Sequence, residues 1–299
     1  MSEITYSSLI QKLFASDEFF DPQLPTLFPQ SIRLRPVEDV EGFIAACEAE
    51  RGGQKLAGRH RIKDWEDGWS GHGIAPDEGF GGNVPYYFKK NEYVRILDDV
   101  YRDEDGYLEL KLLRVLQILA VRRAVSSFDP FEMLVEYGAG TGHNLEFLRS
   151  VFGEAFDFGG CDWASPAIDN MVVKGIVAEK NARRVDYFDE KTFWSPTCEA
   201  FAAFTNASLE QVGNDYREFI DWLVSNEGCV GGIHIEPVKE LLSNSPLDRN
   251  AFEYCEARGY LNGFLHYLNR KDEISVFAKN FGLGSKFLSG YQMVLWRKL

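Results

Sequence analysis

VEYGAGTGHNLEFL, running from Val135 to Leu148, is the stretch that decides the fold class. An apolar run over Phe131, Met133, Leu134 and Val135 ends in Glu136, and glycines then hold every second position, Gly138, Gly140 and Gly142, before a helical pattern opens. Glycine tolerates positive φ and lets another group come close to the backbone. A glycine-rich turn from a strand into a helix is where α/β sheets bind nucleotide-like ligands.

Working outward, the chain becomes regular from Tyr107. LELKLLRVLQILAVRRAVSSF reads as a helix with Leu112, Val115, Leu116 and Leu119 on one face. Strand-like runs follow at 132–137, 156–162, 183–188, 200–205 and 231–236, separated by helical stretches such as NLEFLRSVF and NDYREFIDWLVSN. Such alternation predicts an α/β fold with a doubly wound, mostly parallel, Rossmann-like sheet. The end departs from it: EISVFAKNFGL and YQMVLWRK are strand-like and separated by glycine-rich turns, which predicts an antiparallel β-hairpin closing one edge.

Residues 1–105 differ in texture. They carry prolines at 22, 25, 29, 36, 76 and 85 and a glycine- and aromatic-rich stretch over 64–88. One helix is predicted over Pro36 to Glu50, with Val40, Phe43, Ile44 and Cys47 on one face and Gly52-Gly53 stopping it. The reading is an N-terminal, mainly helical cap or substrate-recognition region over 1–105, followed by the Rossmann-like domain over 106–299. The charge run RDEDG at 102–106 reads as a solvated turn.

Length and composition narrow the function. With 299 residues, 45% hydrophobic and 14% aromatic, the chain is expected to fill a globular core. Lys and Arg number 32 against 46 Asp and Glu, a net charge of −14, which disfavours nucleic acid as the main partner and leaves room for a local phosphate site. The first twenty residues carry charges among their apolar positions, so no signal peptide is expected, and no stretch is apolar enough to predict a membrane span. Five scattered cysteines (47, 161, 198, 229, 255) form no CxxC pair, which points to a reducing cytosol rather than a zinc knuckle or disulfide framework. No Asp/Glu/His grouping marks a metal site.

Two nucleotide motifs compete at the glycines. The dinucleotide fingerprint GxGxxG/A needs a sixth-position glycine or alanine; counting from Gly138 puts His143 there, and counting from Gly140 puts Leu145 there. ExGxGxG fits Glu136, Gly138, Gly140 and Gly142 without gaps. On that motif the chain from 107 to its end resembles class I S-adenosylmethionine-dependent methyltransferases. It is particularly similar to bacterial members associated with surface-polysaccharide genes that read GxGTGHN, CDW, SLEQ or ALEQ, and HIEP. Here these are GAGTGHN at 138–144, CDW at 161–163, SLEQ at 208–211 and HIEP at 234–237.

The resemblance implies S-adenosylmethionine as cofactor, its methionine part lying against the backbone of Gly138, Ala139, Gly140 and Gly142. Glu136 would hold the ammonium or order water near it. Asn144 reads either as a cofactor contact or as an N-cap, and His143 as facing the cofactor or as a loop residue. Asp162, at the end of the second strand, would accept the ribose hydroxyls, and Trp163 would stack on adenine or serve the core. Asp186, or Asp189, would receive the adenine amino group beside Tyr187. Asn206, Glu210 and Gln211 would offer polar groups where methyl and acceptor meet, although Glu210 and Gln211 also suit the first turn of a helix. The Asn/Asp-Pro-Pro-aromatic signature of DNA methylases is missing from this strand end.

A hydroxyl acceptor needs a base to take its proton. Candidates are Glu236, His234 and Glu210. Strand alternation puts His234 and Glu236 on one side, Glu236 at the carboxyl edge and His234 a layer deeper, where an interior hydrogen-bonded histidine is the competing reading. In the cap, Arg59, Arg61 and Lys63 suit a phosphate and Trp65 or Trp69 a sugar face, against the plain reading of a basic loop anchored by tryptophans. Tyr86, Phe88 and Arg95 are expected as a lid. The functional expectation is O-methylation of a sugar or glycan-precursor hydroxyl. The alternatives are another small-metabolite acceptor (phosphate-type, amine or carbon), a non-catalytic cofactor-binding scaffold, and an NAD-linked oxidoreductase, which His143 disfavours.

Overall fold

In the computed structural model of the chain, residues 3–24, 31–71, 75–76, 83–85, 88, 92–104, 107–288 and 291–299 are described. Seven strands form the central sheet: β1 (Met133–Tyr137), β2 (Asp157–Asp162), β3 (Ala182–Arg184), β4 (Phe201–Asn206), β5 (Cys229–Glu236), β6 (Ile274–Lys279) and β7 (Gln292–Lys298). Their order is β3-β2-β1-β4-β5-β7-β6, all parallel except β7, which runs antiparallel to both its neighbours. The strand order reverses between β1 and β4. In open α/β sheets ligands bind outside the carboxyl ends of the strands at such a point.

Nine α-helices occur among the described residues: α1 (Tyr6–Phe14), α2 (Val40–Arg51), α3 (Ile62–Gly71), α4 (Leu108–Ser127), α5 (His143–Phe152), α6 (Ser165–Val173), α7 (Tyr216–Ser225), α8 (Pro246–Arg258) and α9 (Phe264–Leu268). The sheet is buried on both sides, and period-two alternation sorts its residues between two cores. Leu134, Ala202, Phe204, Ile233 and Ile235 join the cluster with α4 and α5, whereas Val135, Tyr137, Phe201 and Ala203 join the one with α7 and α9.

The predicted helix after Tyr107 is α4, and fourteen of its twenty residues are buried. One face meets the sheet, and the same cluster takes in Tyr6, Ile10 and Phe14 of α1 together with Leu34, Val94 and Ile96. The run at 102–106 is not simply a solvated turn. Asp103 is buried and its carboxylate accepts the backbone N–H of Leu108 at 2.7 Å, satisfying a donor at the start of α4.

The N-terminal region holds strands as well as helices. Glu3–Thr5, Ser31–Pro36, Asp99–Asp103 and Tyr93–Ile96 form an antiparallel sheet, and Leu283–Gly284 adds its fifth strand beside Tyr93–Ile96. That fifth strand comes from the link between β6 and β7. The two final strands are antiparallel as predicted, with β7 inserted between β5 and β6 and β6 left at the edge. The helix predicted from Pro36 begins later: Asp39 caps α2 by accepting the N–H of Gly42 at 2.8 Å, and Pro36 ends a strand. β3 stops at Arg184, short of the predicted 188, because the chain turns around Asp186.

Candidate active site

A cavity of about 240 Å³ lies at the carboxyl ends of β1, β2 and β4. Its floor is the backbone of Gly138, Ala139 and Gly140; its sides are Asn144, Asp162, Trp163, Tyr187 and the segment from Asn206 to Val212. Trp65 and Trp69 of α3, Phe88, Leu113 and Tyr291 close it from the N-terminal and α4 side. The switch point of the sheet and this cavity therefore coincide.

The three glycines all have positive φ, +78° at Gly138, +54° at Gly140 and +79° at Gly142. L side chains rarely adopt such values. At Gly140 a Cβ would lie 2.9 Å from the indole of Trp69, so α3 seats an aromatic ring directly on the loop. Gly142 has a different neighbour. A Cβ there would meet Met171 of α6 at 2.7 Å, and Gly142 is not part of the cavity wall. Its bareness serves helix packing rather than the ligand contact expected for it.

Asp162 sits where expected, buried on the wall. Its two oxygens accept the backbone N–H groups of Gly140 and Ala164, each at 2.9 Å. Burial pushes its carboxyl up to about 6, with the backbone donors pulling the other way. Trp163 lines the cavity and stacks on Phe188, centroids 6.0 Å apart. Tyr187 lines it too, its hydroxyl 3.3 Å from Ser208 Oγ. Asp186 does not. One of its oxygens accepts the N–H of Phe188 at 2.9 Å and the other pairs with Arg59 at 3.3 Å, so it organises the turn after β3 beside the cavity. Asp189 accepts the N–H of Lys191 on the surface.

Glu136 stands behind the wall. It is fully buried; Oε1 accepts a bond from Asn144 Nδ2 at 2.6 Å and Oε2 has no protein partner. Burial pushes its carboxyl up to about 8. Asn144 does reach the cavity, and its Oδ1 accepts bonds from Gln117 at 2.8 Å and Arg114 at 3.1 Å. Gln117 Nε2 also lies 3.2 Å from Oδ1 of Asn206, another wall residue. Two polar side chains of α4 thus orient both asparagines. The signal in the sequence was a pair three residues apart inside the otherwise apolar run 112–121.

The three candidate bases separate clearly. His234 is fully buried in the core beneath β7: Trp296 Nε1–H donates to its Nε2 at 2.9 Å, and its Nδ1 lies 2.9 Å from Thr205 Oγ1. Because Nε2 accepts, the neutral ring carries its proton on Nδ1. Burial lowers its pKa to about 3. Glu236 is also off the wall. Oε1 accepts the N–H groups of Ser208 and Leu209 at 3.1 Å each, and Oε2 accepts that of Glu210 at 3.3 Å. It anchors the 3₁₀ turn Leu209–Val212 rather than facing a ligand. Burial and the neighbouring Glu210 push its carboxyl up to about 8. Glu210 alone of the three lines the cavity. Gln211 Nε2 donates to its Oε1 at 2.7 Å, Oε2 has no protein partner, and burial pushes its carboxyl up to about 7. The segment carrying it follows Ala207, whose φ of +50° is a strained value for alanine.

His143, for which a loop role was one reading, opens α5, is buried and lines the cavity with neither ring nitrogen hydrogen-bonded. Burial, and after it Arg114, holds its pKa well below the usual value. Arg59, Arg61 and Lys63 do not line the cavity. Arg61 bonds Asp64 at 2.8 Å and Gln211 at 3.4 Å, Arg59 pairs with Asp186, and Lys63 is exposed. Arg95 is no lid residue: it is buried, bonding the carbonyls of Leu247 and Lys286 and the side chain of Asn250. Phe88 does close the cavity, and Tyr86 lies outside the described residues. Among the described residues no group of three His, Cys, Asp or Glu could hold a metal ion, and no helix is long and apolar enough to cross a membrane.

No protein-family model matches the chain. No curated protein matches it either. Among solved structures it is similar to the plantazolicin methyltransferase BpumL in complex with SAH, at 15% identity and a TM-score of 0.42 over 62% of this chain and 84% of that one. It is similar to human N-acetylserotonin methyltransferase in complex with SAM at 17% identity and a TM-score of 0.40, over 64% of this chain and 55% of that one. A third is the O-methyltransferase TomG from Streptomyces achromogenes, at 13% identity and a TM-score of 0.40 over 62% and 78% of the two chains. At such low identity and overlap, the chemistry has to be read from this chain's own residues.

Proposed function

We propose that the chain is an S-adenosylmethionine-dependent methyltransferase that methylates a hydroxyl of a sugar or glycan precursor. The observation that carries this reading is the make-up of the cavity wall: two carboxylates, Asp162 and Glu210, three tryptophans, a bare glycine backbone and, among the described residues, no Lys or Arg. A cofactor bearing a sulfonium, a ribose and an adenine fits such a wall. A dinucleotide fits less well, because the sixth position of its glycine fingerprint holds His143 or Leu145 rather than glycine or alanine.

Bound there, S-adenosylmethionine would supply an electrophilic methyl group to a nucleophile held in line with it. Asp162 would receive the ribose hydroxyls, Trp163 and Tyr187 the adenine, and the backbone of Gly138, Ala139 and Gly140 the methionine part. Asn144 and Asn206, oriented by Gln117, present polar groups to the same space. Glu210 is the group to accept the acceptor's proton. A carboxyl lifted toward neutrality is well matched to that role. The sugar acceptor rests on the likeness to members found among surface-polysaccharide genes and on the ring faces of Trp65 and Trp69.

The test is release of S-adenosylhomocysteine with a panel of glycans, nucleotide sugars, amines and aromatics. Turnover with hydroxyl acceptors, lost on Glu210→Gln, supports the reading. Turnover with amines or aromatics alone rejects the sugar acceptor, and binding without any turnover leaves the scaffold alternative.

A further inference from the structure

Three side chains on the cavity wall hold buried polar atoms with no protein partner: the indole N–H of Trp65, Oε2 of Glu210, and both ring nitrogens of His143. Unpaired buried polar atoms are rare in native proteins, and a cavity wall is where a ligand can pair them. Their chemistry is specific. The indole only donates, an ionised carboxylate only accepts, and a neutral imidazole does one of each. His143 is neutral in this setting because burial holds its pKa well below the usual value. The set therefore asks for two acceptors and two donors from whatever enters.

Charged groups meet only half of that demand. An ammonium brings donors alone and leaves the N–H groups of Trp65 and His143 unpaired. A carboxylate or phosphate dianion brings acceptors alone and faces repulsion from Glu210 and Asp162. Among the described residues no cation on the wall offsets that repulsion: Arg61 and Arg258, the two that act on Glu210, are bonded to Asp64 and Gln211 and to Gln54 and Tyr254. Hydroxyls donate and accept at once. The wall also offers ring faces, since Trp65 and Trp69 stack with centroids 6.1 Å apart and Phe88 meets the edge of His143.

We propose that Trp65, His143 and Glu210 form the acceptor subsite, and that it selects an uncharged ring with neighbouring hydroxyls over the same ring carrying a carboxylate, phosphate or ammonium in the cavity. The proposal rests on the methyltransferase reading above and adds two residues and a charge preference to it.

The experiment uses the full-length protein and methyl glycosides of several neutral hexoses and deoxyhexoses, each beside its uronic-acid, sugar-phosphate and amino-sugar counterpart. Binding is read by calorimetry on protein saturated with S-adenosylhomocysteine, and transfer by kcat/KM with S-adenosylmethionine. At least one neutral glycoside should bind and react about tenfold or more better than its charged counterparts, the scale of one unmade buried hydrogen bond. Trp65→Phe, which keeps the ring and removes the N–H, and His143→Leu should each raise the glycoside KM by about tenfold. His143→Gln, which keeps a donor and an acceptor, should restore part of the loss. Affinity for S-adenosylhomocysteine and the melting midpoint should stay at the parent values in all three. Equal or better use of the charged rings would overturn the proposal. So would weakened S-adenosylhomocysteine binding with an unchanged glycoside KM, since the orphan groups would then belong to the cofactor. Failure of every neutral glycoside to bind the loaded protein would overturn it as well. Failure of the parent to bind S-adenosylhomocysteine at all would instead reject the methyltransferase reading beneath it.

Discussion

Asp162 holds Gly140 by the backbone: Oδ2 accepts the glycine N–H at 2.9 Å while Oδ1 accepts that of Ala164 at the same distance. The end of β2 and the loop after β1 are thereby tied into one wall of the cavity. Asp162→Ala leaves two buried donors without acceptors, and each costs about 1–3 kcal/mol. The melting midpoint should fall, and binding of S-adenosylhomocysteine should weaken by at least about tenfold. Asp162→Asn, which keeps one acceptor oxygen, should lie between. Parent-like binding by Asp162→Ala in a titration would remove this residue from the cofactor site.

Glu210 makes a kinetic prediction. Its carboxyl is lifted to about 7, and a base acts only when ionised. Turnover should rise with pH through about 7 and level off above it. Glu210→Gln should lower turnover by about 10²–10⁴-fold and erase that rising limb. A pH–rate profile of parent and variant decides it; a limb that survives the substitution places the base elsewhere.

His234 should matter for stability and not for chemistry. Its ring joins Trp296 to Thr205, both buried, and His234 is not on the cavity wall. His234→Ala strands two buried polar groups and opens a void, a loss of about 2–4 kcal/mol. Denaturant unfolding reads that loss, and turnover below the melting transition should stay within a few-fold of the parent. A stable variant with turnover abolished would return His234 to the list of bases.

Much of this was legible because it is local. The glycines announced the strand-to-helix turn, and the strand-like runs at 132–137 and 200–205 became β1 and β4. Alternation also placed His234 and Glu236 on one side of β5. It could not say that His234 lies beneath Trp296 or that Glu236 would spend its oxygens on three backbone amides, since both facts depend on β7 and on the 209–212 turn. Gly142 had the same limit: the glycine was plain, while its reason, Met171, belongs to another helix. Trp65 and His143 show it most sharply. Their significance is the lack of a partner, and no sequence pattern encodes that.

Glu136 links the site to stability. Its carboxyl stands at about 8 in the fold against an ordinary 4.5, so the folded chain keeps a proton that the unfolded chain releases. The sign follows from linkage: stability from this group is fully present below about 4.5 and is lost as pH rises through about 8. Glu136→Gln keeps an acceptor for Asn144 and removes the titration. Its melting midpoint should fall less steeply than the parent's between about pH 5 and pH 8.5. Parallel curves would mean that the buried carboxyl is ionised throughout.

The central claim is that the cavity over Gly138, Ala139, Gly140 and Asp162 holds the methyl-donor cofactor. Calorimetric titration of the full-length protein with S-adenosylhomocysteine tests it most directly, with NAD as the control ligand. The expected result is saturable one-site binding in the micromolar range for S-adenosylhomocysteine and no heat with NAD. Saturable heat with NAD, or none with S-adenosylhomocysteine at high micromolar concentration, would contradict the claim.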